Sequence, residues 1–351
     1  MRSLMLKIIS IVIVALALVS GLVWMDYQSY LESPLQIPEK GSRYELKSGM
    51  NLTRLVKQLT NEGVITKPRY VLWYARLTGR ANHIQVGEYK LEPGDTPKIF
   101  IANLLSGKVI QYALTIVEGW NFRQVMDAIH HNTNLIHTLK GQTDKEIMKQ
   151  LGYTDIHPEG RFLPDTYHFP KGLTDLEFLQ RAYTAMESFL ANEWDNRDVG
   201  LAINTPYETL TLASIVEKET GLASERGAIA GVFMRRLQKN MRLQTDPTVI
   251  YGMGKRYKGN IRRSDLERDT PYNTYRRRGL PPTPIAMPGR DAIHATLHPK
   301  EGDDLYFVSR GDGSHHFSST LEEHNKAVIK YQLKGKKRPF SSFGNNNGNE
   351  K

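Results

Sequence analysis

Residues 205–221 read TPYETLTLASIVEKETG and give the clearest helix signal in the chain. Thr205 is a natural N-cap, because its hydroxyl can accept a hydrogen bond from a free helix N–H group. Pro206 suits the first helical position, and Glu208 stands where a capping-box acid belongs. Gly221 marks the C-terminal end of this helix. The sequence therefore predicts a helix between these residues, followed by another from Ser224 to Gln238.

One carboxylate of this helix falls on its apolar side. Apolar positions include Leu212, Ile215 and Val216. At about 100° per residue, Glu219 lies within about 60° of Leu212, whereas Glu217 lies about 140° away from it. Burial raises the pKa of a carboxyl, so Glu219 is predicted to be protonated near neutrality, as a general acid must be. The alternative is a structural acid that reaches solvent or pairs with Arg226.

Composition excludes several classes of protein. The chain has 351 residues, no cysteine, and 47 Lys+Arg against 37 Asp+Glu, so 47 − 37 gives a net charge of +10. A disulfide scaffold, a thiolate metal site and a cysteine nucleophile are impossible without cysteine. The hydrophobic share of 40% argues against wholesale disorder and against a protein with many membrane spans. Length favours two or three domains.

An apolar run from Ile8 to Met25 follows the basic residues Arg2 and Lys7. A helix of this length spans roughly 27 Å, enough to cross the hydrocarbon core of a bilayer. The run extends beyond Leu18 to Gly21, which is a poor cleavage region, and this favours an uncleaved anchor over a secretory signal. Because the positive charges precede the run, the N-terminus is expected in the cytoplasm and the body outside the membrane.

The exported part has an α+β pattern. Short β runs end at glycine, and each is followed by a helix that opens on Asn51, Thr96 or Asn121. Ser319 and Glu322 predict the start of a last helix, after a hairpin formed by residues 305–310 and 315–318. The expected domains are an anchor (1–25), a tether (26–42), a small binding module (43–108), a catalytic domain (109–339) and a disordered tail (340–351).

Polar loops supply candidate sugar-binding residues. Gln244 follows a short extended segment, and Asn273 and Tyr275 lie in a loop rich in Pro and Gly. Tyrosine offers a flat apolar face and asparagine offers amide hydrogen bonds, and both suit carbohydrate recognition. From the residues alone, turn and packing roles are favoured over ligand binding.

Several long motifs occur in a fixed order along the exported chain. These are ASIVEKET (213–220), MRLQTDPTVIYG (241–252), YNTY (272–275), GLPP (279–282), EG (159–160), PDTY (164–167), GSHHF (313–317) and EHN (323–325). Together with the N-terminal anchor, they closely resemble the endolytic murein transglycosylases of the YceG-like (MltG) family. The resemblance covers essentially the whole exported chain.

This resemblance implies an α+β protein with a LysM-like peptidoglycan-binding module at 43–108 and a catalytic domain whose acid is Glu219. It implies cleavage of the bond between N-acetylmuramic acid and N-acetylglucosamine within nascent glycan strands. The products would carry 1,6-anhydro ends, and glycan length would be limited. No cofactor and no metal are implied, and peptidoglycan synthases (penicillin-binding proteins) are expected neighbours. The implied location is the bacterial inner membrane, crossed once, with the catalytic body on the periplasmic side.

Other functions remain open at this point. A glycoside hydrolase would use Asp246 or Glu217 as a second carboxylate beside Glu219. A non-catalytic wall-binding protein would rely on the small module alone. A zinc site at His315, His316 and His324 is disfavoured, because adjacent strand residues point to opposite faces. Nucleic acid is not an expected partner of an exported chain, so the basic run 276–278 is interpreted as a solvated loop.

Overall fold

The N-terminal apolar run belongs to one long helix, α1 (Arg2–Glu32). The computed structural model describes residues 2–47, 49–79 and 86–333. The helix from Ser3 is long enough to cross a membrane and contains an 18-residue apolar window with a mean hydropathy of 2.7, properties shared by membrane anchors and signal sequences. It continues to Glu32, so the first part of the expected tether is helical. The expected tail at 340–351 lies outside the described residues.

The chain divides into two compact units. The smaller unit comprises the described residues up to 113, together with 134–136 and 168–173. Its elements after α1 are β1 (Ser42–Leu46), α2 (Leu52–Asn61), α3 (Pro68–Leu77), β2 (Gly87–Leu91) and α4 (Pro97–Ser106). β1 and β2 pair in antiparallel register, with Tyr44 opposite Tyr89. The order of elements is therefore strand, helix, helix, strand and helix.

The end of α1 is built into the smaller unit. Tyr27 and Leu31 are buried, at 5% and 1% exposure. Asp26 forms an ion pair with Lys67, which lies just before α3, at 2.6 Å. Tyr30 of α1 packs against the apolar core of this unit, to which Leu55 of α2 belongs. The helix and the unit are thus joined by packing as well as by the chain.

The larger unit is mixed α+β with its helices in the majority. Its elements are β3 (Gln111–Ile116), α5 (Phe122–His131), α6 (Asp144–Gln150), β4 (Asp165–Pro170), α7 (Asp175–Asp195), α8 (Pro206–Glu219), α9 (Ala223–Gln238), α10 (Asp246–Met253), α11 (Arg263–Glu267), α12 (Arg290–Leu297), β5 (Tyr306–Ser309), β6 (His315–Ser318) and α13 (Leu321–Tyr331). β3 pairs with β4, and the boundary between units passes through both strands. β5 and β6 form the predicted antiparallel hairpin.

Helix α8 lies in the centre of the larger unit, in contact with α7, α9, α10 and α12. Leu210, Leu212, Ala213, Ile215 and Val216 have no exposed surface, and they share one apolar core with α9 and α12. The helix is buried on nearly all sides, which explains why its apolar residues are not confined to one stripe. The core therefore holds the C-terminal end of α8 in a fixed place.

Helix starts largely follow the sequence signals. The side chains of Asn51, Thr96 and Asn121 each accept a hydrogen bond from the backbone N–H three residues later, as predicted. Thr205 caps α8 in the same way. The start of the last helix was predicted one residue too early. Thr320, not Ser319, is the N-cap of α13, and Glu323 completes its capping box.

The close contact between Gly160 and Pro284 can be tested by a substitution at Gly160. It has a φ of +77°, and a Cβ added there would lie 2.6 Å from Cβ and Cγ of Pro284. We expect Gly160→Ala to lower the free energy of unfolding by about 3 kcal/mol, through backbone strain and overpacking together. Gly152→Ala is the matched control, since its φ is +91° and the added Cβ meets no atom within 4 Å. Chemical unfolding of both variants measures the clash as their difference, and equal losses would contradict it.

Candidate active site

Glu219 is the last residue of α8 and lines a cavity of about 450 Å³. The helix stops there because Thr220 takes an extended backbone, with φ −141° and ψ 138°. The cavity is also lined by residues of the 243–246 segment, of the loop before Tyr275 and of the β5–β6 hairpin. The fold thus places one carboxyl at the wall of a pocket that is lined by separate parts of the larger unit.

The carboxyl of Glu219 has a strongly shifted acidity. Burial raises its pKa to about 7, and the nearby charge of Asp246 acts in the same direction. The hydroxyl of Thr245 donates a hydrogen bond to Oε1 and lowers the pKa, as do His315 and Arg236. At neutral pH the group is therefore divided between its acid and its carboxylate form, which suits a group that both gives and takes a proton.

Thr245 is a site residue that the sequence did not single out. It stands at the N-cap of α10, but its hydroxyl makes no capping bond and turns to Glu219 instead. Its backbone N–H donates to Oγ1 of Thr274 at 3.1 Å, and Thr248 bonds to both residues. All three threonines are buried. A threonine before Asp-Pro reads as a helix cap, and only the tertiary structure reveals its other partner.

Two of the three predicted sugar-binding residues line the same cavity as Glu219. Gln244 is exposed and holds an unusual positive φ of 51°, with its N–H bonded to the carbonyl of Thr274. Tyr275 donates its hydroxyl to Oδ1 of Asp246 at 2.6 Å. Their side chains are therefore placed where a ligand beside Glu219 could meet them.

Asn273, the third predicted sugar-binding residue, is buried away from the cavity wall. It is 1% exposed, and its amide NH₂ donates to the backbone carbonyls of Asp265, Leu266 and Arg268. Its amide oxygen accepts the N–H of Tyr275 at 2.9 Å. These partners lie in α11 or in the loop that follows it, and Asn273 is absent from the described lining of the cavity. Asn273 thus holds the backbone of Tyr275, and its expected role in sugar binding stays a prediction.

Glu217 also departs from the sequence expectation. Its side chain is only 8% exposed, although it lies away from the predicted apolar stripe. It accepts the N–H of Gly289 at 3.0 Å, and burial raises its pKa. Arg226 lies 4.0 Å from it and 3.0 Å from Asp291. The expected alternative partner of Glu219, Arg226, is therefore occupied with other acids.

Arg236 of α9 lies at the wall of the cavity and connects two of the segments that line it. It is 7% exposed, and its guanidinium donates to the carbonyls of Leu305 and Leu243 at 2.6 and 2.7 Å. The group also lies 5.1 Å from the ring centroid of Tyr306. It therefore ties the segment before Thr245 to the segment that leads into β5.

The three histidines considered for zinc have separate neighbours. His315 lines the cavity and binds Glu225 through both its N–H and its ring Nδ1, at 2.9 and 2.7 Å. The ring of His316 lies 5.5 Å from that of Tyr331, and His324 stacks on Tyr306. His315 thus lies at the wall of the cavity that contains Glu219, held there by Glu225.

A second buried glutamate, Glu159, lines another cavity of about 730 Å³. Burial raises its pKa to about 7, while Tyr251 donates to it at 2.9 Å and the N–H of Phe122 at 2.9 Å. The sequence placed Glu159 in a family motif without assigning it a role. Its environment makes it a second group that titrates near neutrality in the larger unit.

Comparison with known proteins gives consistent matches. A family model described as the YceG-like family matches residues 44–330. An endolytic murein transglycosylase from Bacillus subtilis (strain 168) is 33% identical over 323 residues, which cover 86% of this chain and 89% of the relative. A protein of the same name from Streptococcus pneumoniae serotype 2 is 26% identical, over 91% of this chain and 64% of that relative.

A solved structure agrees with these matches. The crystal structure of a yceG-like protein from Listeria monocytogenes has a TM-score of 0.51 and 29% sequence identity, covering 82% of this chain and 99% of that chain. The similarity thus extends through both compact units.

Proposed function

Because this chain belongs to the YceG-like family, we propose that it is an endolytic murein transglycosylase that cleaves peptidoglycan with Glu219 as its catalytic acid. The observation that carries the proposal is the carboxyl of Glu219 at a cavity wall, with its pKa raised to about 7. The names of the curated relatives support the class of enzyme. The reaction is that of a lyase, which breaks a glycosidic bond without consuming water.

The proposed chemistry needs a single carboxyl. Protonated Glu219 gives its proton to the oxygen that links N-acetylmuramic acid to N-acetylglucosamine, and the bond from C1 to that oxygen breaks. The acetamido group of the muramic residue stabilises the positive charge at C1. Glu219, now a carboxylate, takes the proton from the C6 hydroxyl, whose oxygen bonds to C1 and closes the 1,6-anhydro ring. One proton is given and one is taken, so the enzyme is restored.

The residues around Glu219 suit both the step in which it donates a proton and the step in which it accepts one. Thr245 donates to Oε1, so we assign Oε2 as the oxygen that carries the transferred proton. After the first step, Thr245 stabilises the carboxylate, as do the nearby side chains of Arg236 and His315, which lower the pKa of Glu219. We propose that Gln244 and Tyr275 contact the sugar or its acetamido group. Asn273 would act through Tyr275, whose backbone it holds.

The product ends test the reaction. Digestion of purified glycan strands by the full chain in detergent, followed by mass spectrometry, should give fragments with 1,6-anhydro-muramic ends. A hydrolase with Asp246 or Glu217 as second carboxylate would give reducing ends that are heavier by one water. A non-catalytic wall-binding protein would retain the strands without shortening them. Either of those results would overturn the proposal.

The pH dependence of cleavage follows from the acidity of Glu219. Glu219 must be protonated to act as the acid, so activity should be present below its pKa and lost as pH rises through about 7. Because the pKa of Glu159 is also about 7, the profile is to be measured on Glu159→Gln as well. The alkaline limb should persist in that variant. Its disappearance would assign the limb to Glu159 instead.

We also propose that α1 is an uncleaved, single-pass anchor in the bacterial inner membrane, with the N-terminus in the cytoplasm and the rest of both compact units on the periplasmic side. Support comes from the apolar length of α1 and from the burial of Tyr27 and Leu31 in the smaller unit. A mature chain purified from membranes should then retain the mass of residues 1–25. Loss of that mass would mean that the helix is a signal sequence.

For residues 43–108, which lie within the smaller unit, we propose a LysM-like module that binds peptidoglycan. The order β1, α2, α3, β2 and the paired strands support this.

We further propose that residues 109–339 form the catalytic domain and that the enzyme cuts nascent glycan strands beside the synthases, which limits the length of the strands. Replacing residues 1–25 by a cleavable signal should then lengthen the glycan strands, measured by chromatography of strands freed from their peptides.

A further inference from the structure

Two histidines and a glutamate meet on the surface of the larger unit, where the last turn of α7 lies beside α12. Glu193 belongs to α7, His294 to α12, and His298 caps the end of α12. One ligand atom of each lies within 4.8 Å of the others, and among the described residues this is the only such group of three or more His, Cys, Asp or Glu side chains. No part of the proposed reaction uses these residues.

The two histidines are four residues apart and share one face of the helix, with ring centroids separated by 4.5 Å. This spacing lets two imidazoles bind one metal ion from a single helical turn. Nδ1 of His294 lies 2.8 Å from Oε2 of Glu193, so these two groups already meet at hydrogen-bonding distance. The histidine pair and the glutamate thus present their ligand atoms to a common point.

A fourth side chain, that of Asp198, contacts one of the two histidines. Oδ1 of Asp198 lies 2.9 Å from Nδ1 of His298. When Nδ1 of a histidine donates to a carboxylate, its Nε2 is left unprotonated and free to bind a metal, and the imidazole becomes more basic. The pairing of His298 with Asp198 is therefore the arrangement of a metal-binding histidine with its supporting carboxylate.

We propose that Glu193, His294 and His298 bind one divalent transition metal ion, with Zn²⁺ as the preferred class, and that Asp198 supports the site. Zinc binds imidazole nitrogen and carboxylate oxygen at about 2.0–2.2 Å, and three protein ligands leave a fourth position for water. Ligand atoms on one such ion stand about 3 to 3.5 Å apart, so the side chains must close by about 1 Å from their present spread. His294 is 62% exposed and can rotate to do so.

The ion would join α7 to α12, and α12 packs against α8, whose last residue is Glu219. A ligand that binds the folded chain and not the unfolded one raises the stability of the fold. Zinc should therefore raise the thermal midpoint of the larger unit. This role is structural and is independent of the proposed reaction.

The test uses the full chain in detergent, prepared without a polyhistidine tag and freed of metal. Zn²⁺ is titrated in competition with a chromophoric chelator, and thermal unfolding is followed with and without Zn²⁺. We expect one ion per chain, a dissociation constant at or below about the micromolar range, and a raised thermal midpoint. His298→Ala and Glu193→Gln should weaken binding by at least about tenfold, and Asp198→Asn by about 10- to 100-fold.

His131→Ala is the matched control, since His131 is an exposed helical histidine outside the group. It should leave zinc affinity and the zinc-dependent shift unchanged. Circular dichroism verifies that each variant is folded, and the two conservative variants Glu193→Gln and Asp198→Asn preserve side-chain size. Equal zinc affinity in the parent and in His298→Ala, or the absence of micromolar binding in the parent, would overturn the proposal.

Discussion

Replacing Glu219 by glutamine is expected to abolish the formation of 1,6-anhydro ends, with a loss of at least about 10³-fold in cleavage rate. A positioned general acid contributes about 10²- to 10⁴-fold, and here the same group is required twice, first as acid and then as base. Glutamine has nearly the same shape and its amide oxygen can still accept the hydroxyl of Thr245. The fold should therefore remain intact, and the loss should fall on catalysis alone.

Glu217→Gln is the matched control for this variant, because Glu217 lies two residues earlier on the same helix and is also largely buried. Its partners are the N–H of Gly289 and the charge of Arg226, and it is absent from the described lining of the cavity that contains Glu219. Cleavage should persist in this variant. Full activity in Glu219→Gln, measured by mass spectrometry of the product ends, would remove Glu219 from the mechanism.

Local signals in the sequence were sufficient for the helix starts. A cap at Asn51 or Thr96 depends only on the residue itself and on the N–H three positions later, so it can be read from a few neighbouring letters. The hairpin of β5 and β6 is likewise local, because its strands are joined by a short turn that contains Gly311 and Gly313. The α+β class follows from such elements.

Burial is set by the tertiary structure, and there the sequence reasoning fell short. The helical wheel placed Glu219 on the apolar side of α8 and assumed that this helix has one solvent face. Helices packed on several sides of α8 also bury Glu217. The role of Glu219 as acid stays a prediction, supported by its raised pKa.

Polar side chains with several possible partners were the least predictable. Asn273 could equally have met a sugar or the carbonyls of its own loop, and only the path of residues 265–275 decides between them. Thr245 has the sequence context of a helix cap, yet its hydroxyl bonds to a residue 26 positions away. Contacts over such distances leave no local pattern.

Replacing Arg236 by methionine is expected to lower the free energy of unfolding by about 3 kcal/mol or more. Hydrogen bonds from a charged donor contribute about 1.5–3 kcal/mol each, and this variant would leave the carbonyls of Leu305 and Leu243 without their buried partner. Methionine fills a similar volume, so the loss reports on the hydrogen bonds more than on packing. Chemical unfolding measures it.

The same variant should also move the pH profile of cleavage. The positive charge of Arg236 lowers the pKa of Glu219, so its removal should raise that pKa and shift the alkaline limb to higher pH. Arg236→Lys separates the two effects: it keeps the charge, and hence the limb, but lysine lacks the planar fork that reaches both carbonyls, so stability should still fall. Arg242→Met, at an exposed position nearby, should change stability by less than about 0.5 kcal/mol. If Arg236→Met and Arg242→Met behave alike in both measurements, Arg236 neither braces the cavity nor tunes Glu219.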